Sequence, residues 1–143
     1  MPSGGDEWLY QQIIEKAHDA IIFADREGLI RLWNSGAEAM FGYEAGEALG
    51  HSLDLIIPES LRLRHWEGYR KAVQTGESRY GHETLAVPAM RSDGKRISIE
   101  FTIVMVHHGA NEVRGCAAII RDVTARWHRE KAMKERLAAL EAK

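Results

Sequence analysis

The chain has 143 residues, 45% hydrophobic and 28% charged, a balance that suits one domain with a core of its own. Its 19 basic and 21 acidic side chains leave a formal charge of −2, which gives no electrostatic ground for binding nucleic acid or an anionic membrane. Cys116 is the sole cysteine, no apolar run is long enough to span a bilayer, and Met1-Pro2-Ser3-Gly4-Gly5-Asp6 has no leader-like pattern, so a reducing, cytoplasmic setting is expected.

Residues 7–18 predict a short amphipathic helix with Trp8, Ile13, Ile14 and Ala17 as its apolar positions. Ala20 to Ala24 is a compact apolar run. The turn Asp25-Arg26-Glu27-Gly28 leads from it into Leu29 to Trp33, and together they read as a hairpin. Asn34 stands where a helix N-cap belongs, because its side-chain oxygen can accept a free backbone N–H. Ala37, Met40 and Phe41 follow at helical spacing, and Gly42 ends that helix. Short helical pieces follow at 43–49 and 53–57, the second stopped by Pro58, and residues 59–75 form a longer amphipathic helix.

The second half changes period. Arg79 to Met90 reads as a strand, with Pro88 marking an edge or a bulge. Ser92-Asp93-Gly94-Lys95 is a hairpin turn. Ile97, Ile99, Phe101, Ile103 and Met105 then alternate with Ser98, Glu100, Thr102 and Val104, so the first five are expected to face the long helix. His108 to Asn111 is the next turn, and Val113 to Arg121 the last strand. From Thr124 the chain is rich in Lys, Arg and Glu and reads as helix to its end. Val123, Trp127, Met133, Leu137 and Leu140 lie near one face of that helix, a short coiled-coil seam, while Arg126, Arg129, Glu130, Lys134 and Glu135 fill much of the rest. This order gives an α+β fold, a five-stranded antiparallel sheet with helices on one side.

Four strings in this order resemble the PAS family. They are Asp19-Ala20-Ile21-Ile22 with Asp25-Arg26-Glu27-Gly28, then Trp33 to Tyr43 around Asn34, Ala37, Gly42 and Tyr43, then Ile57-Pro58, and finally Arg91-Ser92-Asp93-Gly94 with Ile120-Arg121-Asp122-Val123-Thr124. The resemblance covers roughly residues 10–126. It implies a PAS fold divided into an N-terminal flanking helix (1–18), a sensor domain (19–123) and a C-terminal signalling helix (124–143). It also implies a non-enzymatic sensor that dimerises through its flanking helices and passes a change in a bound small molecule to an output domain.

Within that family, the haem-binding gas sensors of kinases and phosphodiesterases place their proximal histidine on the long helix, and His65 falls at that position counted from Ile57-Pro58. In the same frame Lys71 and Arg79 fall where basic groups meet the haem propionates, and Phe101 and Ile103 at distal apolar positions; Leu61, Val87 and Ile119 extend the apolar wall. Leu85 takes the place of the distal arginine and Glu83 that of a distal methionine, which leaves His82 or Met90 as the nearest candidates for a sixth ligand. The resemblance thus implies haem b, with His65 as the metal ligand. The residues themselves leave open another small molecule or none. The flavin-photosensor cysteine of the family belongs on the helix side, whereas Cys116 is on the last strand, where it reads as a small buried hydrophobe. His107-His108 has no partners completing a metal set, and His18, His51 and His128 read as solvent-facing.

Overall fold

The period-2 run becomes β4 (Arg96–His108), the longest strand, and the rest of the sheet is built around it. The computed structural model describes residues 4–77, 86–110 and 112–142. In chain order the elements are α1 (Glu7–Lys16), β1 (Ala20–Asp25), β2 (Ile30–Trp33), α2 (Ser35–Phe41), α3 (Ala45–Ala48), 3-10 turns at Leu53–Ile56 and Glu59–Leu61, α4 (Arg62–Thr75), β3 (Val87–Met90), β4, β5 (Glu112–Asp122) and α5 (Thr124–Glu141). The strands lie in the order β2-β1-β5-β4-β3, each pair antiparallel. The expected strand at 79–85 and the turn residue Asn111 lie outside the described residues.

Local signals set the hairpins and caps. Asp25 Oδ1 accepts from the Glu27 and Leu29 backbone N–H groups, both at 3.0 Å, and closes the first turn. Gly28, at φ 82°, lies where the Trp66 ring packs: a Cβ on Gly28 would fall 2.2 Å from it. Gly42 ends α2 in the left-handed conformation at φ 81°, with its N–H donating to Glu38 O.

One buried side chain organises the N-terminal half. Asn34 is fully buried, and its Oδ1 accepts from Ala37 N at 3.0 Å as the N-cap of α2. The same oxygen accepts from Ile21 N at 2.8 Å, while Nδ2 donates to Ile14 O at 2.8 Å and Asp19 O at 3.1 Å. A single amide therefore ties α1, β1 and α2 together with both its donor and acceptor groups used. Next to it Gly36 lets α2 approach the chain: a Cβ there would sit 2.2 Å from the Asp19 carbonyl oxygen.

The β4 register is as the alternation predicts, with Ile97 and Ile99 buried and Thr102 and Val104 exposed. The expectation that all five inward residues face α4 is corrected. Ile97, Ile99 and Phe101 pack with Ile30, Trp33, Ala37, Phe41, Ala48 and Ile56, under the short helical pieces. Ile103 and Met105 pack with Tyr69 and Val73 of α4. The reason is length: thirteen strand residues extend about 40 Å, whereas a fourteen-residue helix extends about 21 Å.

Candidate functional site

His65 lies in the first turn of α4, just beyond the 3-10 turn Glu59–Leu61. Its ring is half-buried against Trp66 (centroids 4.6 Å apart, edge-on) and Tyr69 (5.8 Å, tilted). Its Nδ1 is buried without a hydrogen-bond partner, the only such side-chain nitrogen or oxygen among the described residues. An unsatisfied buried polar atom costs roughly 1–3 kcal/mol, and this nitrogen lacks the partner that a buried ring nitrogen ordinarily has. Burial pushes the imidazole below its ordinary pKa, with the nearby Asp54 charge opposing, so the neutral, metal-ligating form is favoured.

The neighbours of His65 are fixed by bonds of their own. Trp66 Nε1 donates to Asp54 Oδ1 at 2.7 Å, and the Arg62 guanidinium donates to Ile57 O at 3.1 Å and Asp54 O at 3.3 Å. Tyr69 donates its hydroxyl to Ala24 O at 3.1 Å, with Asp25 O as a second acceptor. Burial raises the Tyr69 phenol pKa, so it remains a neutral donor. The Tyr69 bond clamps α4 to the end of β1, while the Trp66 and Arg62 bonds tie it to the 3-10 turn at Leu53–Ile56 and to Ile57. Trp66, Tyr69 and Asp54 have no part in the site read from sequence; the aromatic residues one and four positions after His65 were a legible signal for Trp66 and Tyr69, and none marked Asp54.

The remaining candidates divide. Phe101 and Ile103 lie on the inner face of β4, on the side of the helices, as expected. Leu61, Val87 and Met90 are half-buried. Lys71 is exposed on α4. Arg79, His82, Glu83 and Leu85 lie outside the described residues. Ile119 is corrected: it pairs with Thr102 of β4 and Ile21 of β1, 39% exposed on the outer face of the sheet. Phe101 pairs instead with Ile120, which takes the inward position. Cys116 is buried beside Met105 (Sγ to Sδ 3.5 Å), and burial raises its thiol pKa, as suits a small core residue. Among the described residues no group of three His, Cys, Asp or Glu side chains is arranged to hold a metal ion, and His18, His51 and His128 are exposed. No described helix is long and apolar enough to cross a membrane.

A profile of the PAS fold matches residues 9–123. The chain belongs to the PAS family. This PAS chain is 32% identical over 134 residues to the signal transduction histidine-protein kinase AtoS of Escherichia coli, covering 92% of this chain and 21% of that protein. It is 26% identical over 114 residues to the sensor protein FixL of Bradyrhizobium diazoefficiens (80% of this chain, 22% of that protein). It is also 24% identical over 112 residues to the oxygen sensor protein DosP of Escherichia coli (78% and 14%). Among solved structures, an RNA-binding light-oxygen-voltage receptor superposes with a TM-score of 0.79 at 26% identity, over 97% of this chain and 39% of that one. That coverage takes in most of both flanking helices. The PAS chain thus spans 14% to 22% of the length of these three curated relatives. PAS domains are sensory modules, so the reading as a non-catalytic sensor segment agrees with the family.

Proposed function

We propose that this PAS domain is the input segment of a larger signalling protein, that it holds haem b through His65, and that α5 carries the resulting change to an output domain. The partnerless, buried Nδ1 of His65 carries the reading, because a neutral imidazole with an unused nitrogen is what a haem iron takes from a protein. Phe101 and Ile103 would offer an apolar wall, and Lys71 and Arg79 cations for the propionates. The likeness to an oxygen sensor protein supports the same reading. Bound haem would supply an iron that takes a diatomic gas or changes oxidation state. Leu85 has no hydrogen-bond donor to offer a polarised oxygen adduct, so carbon monoxide is expected to be held more stably than oxygen.

The test is haem titration of the purified chain and of His65→Ala, followed by the Soret band in both redox states, with circular dichroism to confirm that the variant folds. The parent is expected to develop a Soret band and the variant to lose or shift it. A parent without a Soret change, or a folded variant with the parent spectrum, removes His65 as a ligand. A specific observation favours the alternative that would then stand, a module binding another small ligand or none that only dimerises and relays: α4 is held by the protein's own groups, through Tyr69 to β1 and through Trp66 to Asp54.

The relay also needs a partner for α5. Trp127, Met133, Leu137 and Leu140 are 38% to 65% exposed, an apolar stripe that a second copy would cover. Light scattering is expected to give a homodimer for the whole chain and a monomer for a chain ending at Thr124. A monomer in both cases overturns the dimer.

A further inference from the structure

Helix α5 leaves the domain through two ties to one strand. Val123 N donates to Ser98 O at 2.8 Å, and Ser98 N donates to Thr124 Oγ1 at 3.0 Å, which fixes the first residue of the helix on β4. Two residues further along both elements, the Arg126 guanidinium meets the Glu100 carboxylate in a charge-assisted hydrogen bond. Glu100 is positioned for this role. Its side chain is only 19% exposed. Arg121, its cross-strand partner on β5, directs its own guanidinium to Asp19 at 3.6 Å, which leaves the carboxylate to Arg126.

The position of Arg126 on α5 gives the contact its meaning. The expectation that Arg126 and Glu130 lie off the apolar face is corrected: at about 100° per residue both project within the arc bounded by Val123, Met133, Leu137 and Leu140, inside the apolar stripe. Arg126 Nε also lies 3.8 Å from Glu130. A charged residue at a seam position weakens pairing unless it finds an opposite charge. While Glu100 engages Arg126, the start of α5 is held on β4, and of the apolar stripe only Trp127 precedes Met133.

We propose that Glu100 and Arg126 form an output latch, which couples the position of β4 to the freedom of the first two turns of α5. The coupling is mechanical: Glu100 points outward and Phe101, its neighbour in the strand, points toward the helices, so a shift of β4 driven from the inner face moves the carboxylate that holds the helix. The latch rests on the reading of α5 as the output helix, and it does not depend on which ligand occupies the domain.

Amide hydrogen exchange on the whole chain, without added ligand, tests it. Glu100→Gln keeps the size of the side chain and removes its charge. Residues 127–131 are expected to exchange about fivefold faster, the range set by loss of one partly exposed ion pair, while α4 keeps the parent rates. Glu100→Arg and Arg126→Glu are each expected to accelerate the same amides, and the two together to return them to within about twofold of the parent. Parent rates in Glu100→Gln, or a double variant no slower than the singles, would overturn the latch. A failed haem titration leaves this measurement untouched, so the two readings fail separately.

Discussion

Asn34→Ala is expected to cost the domain about 4 kcal/mol. The N-cap of α2 contributes about 1 kcal/mol of that. The remainder is the cost of depriving Ile21 N, Ile14 O and Asp19 O of their partner inside the protein, at about 1 kcal/mol or more each. Urea unfolding followed by tryptophan fluorescence should show the midpoint falling by about 2 M, with the slope unchanged. Asn34→Asp separates the two halves of the network. Its carboxylate can still accept from Ile21 and Ala37, but it turns a negative charge toward the Ile14 and Asp19 carbonyls. This variant should also be strongly destabilised, with α1 exchanging its amides faster than α2. A loss below about 1 kcal/mol in Asn34→Ala would mean that solvent or a shifted backbone satisfies these groups, and the network would not be what joins the flanking helix to the domain.

Phe41→Ala is expected to be comparably severe. Phe41 is fully buried at the end of α2, with its ring 5.6 Å from Trp33, among Ala37, Ile30 and Ile97. Truncating such a ring costs about 3–5 kcal/mol through lost transfer energy and the cavity left behind. The backbone makes collapse difficult, because Phe41 O accepts from Ser92 N at 2.8 Å and so holds the end of α2 to the β3–β4 turn. Phe41→Leu keeps most of the volume and should cost about 1 kcal/mol. The ratio of the two losses in thermal or urea unfolding is the check; equal losses would show that aromatic shape, rather than volume, is what the site requires.

Both residues show where sequence reading ends. Asn34 is legible as an N-cap because capping is local, decided by three residues of spacing. Its bonds to Ile14 and Asp19 are tertiary, and no pattern in the chain announces them. The face of β4 is legible because five apolar residues alternate without a break. The face of β5 is not, because Ile119 and Ile120 are adjacent and only one can turn inward. Pairing with β4 decides the matter, placing Ile120 opposite Phe101. At the candidate site, the helical position of His65 follows from Ile57-Pro58, but the partnerless state of its Nδ1 depends on how Trp66, Tyr69 and Asp54 are held, which spacing does not encode.

Pro88 sits in β3, at one margin of the sheet, opposite Ser98. Both backbone groups of Ser98 are engaged on the far side, with Val123 and Thr124. In an antiparallel ladder that makes Pro88 and Ser98 a pair without mutual hydrogen bonds, so the Pro88 nitrogen points away from β4. The other margin, β2, is already occupied: Ile30 N donates to His51 O and Ile30 O accepts from Gly50 N, each at 2.8 Å. Among the described residues, one border is engaged at Ile30 and the other lacks a donor at Pro88. If α5 pairs with a second copy as proposed, these two borders would steer self-recognition away from the sheet and leave it to helical surfaces that can let go.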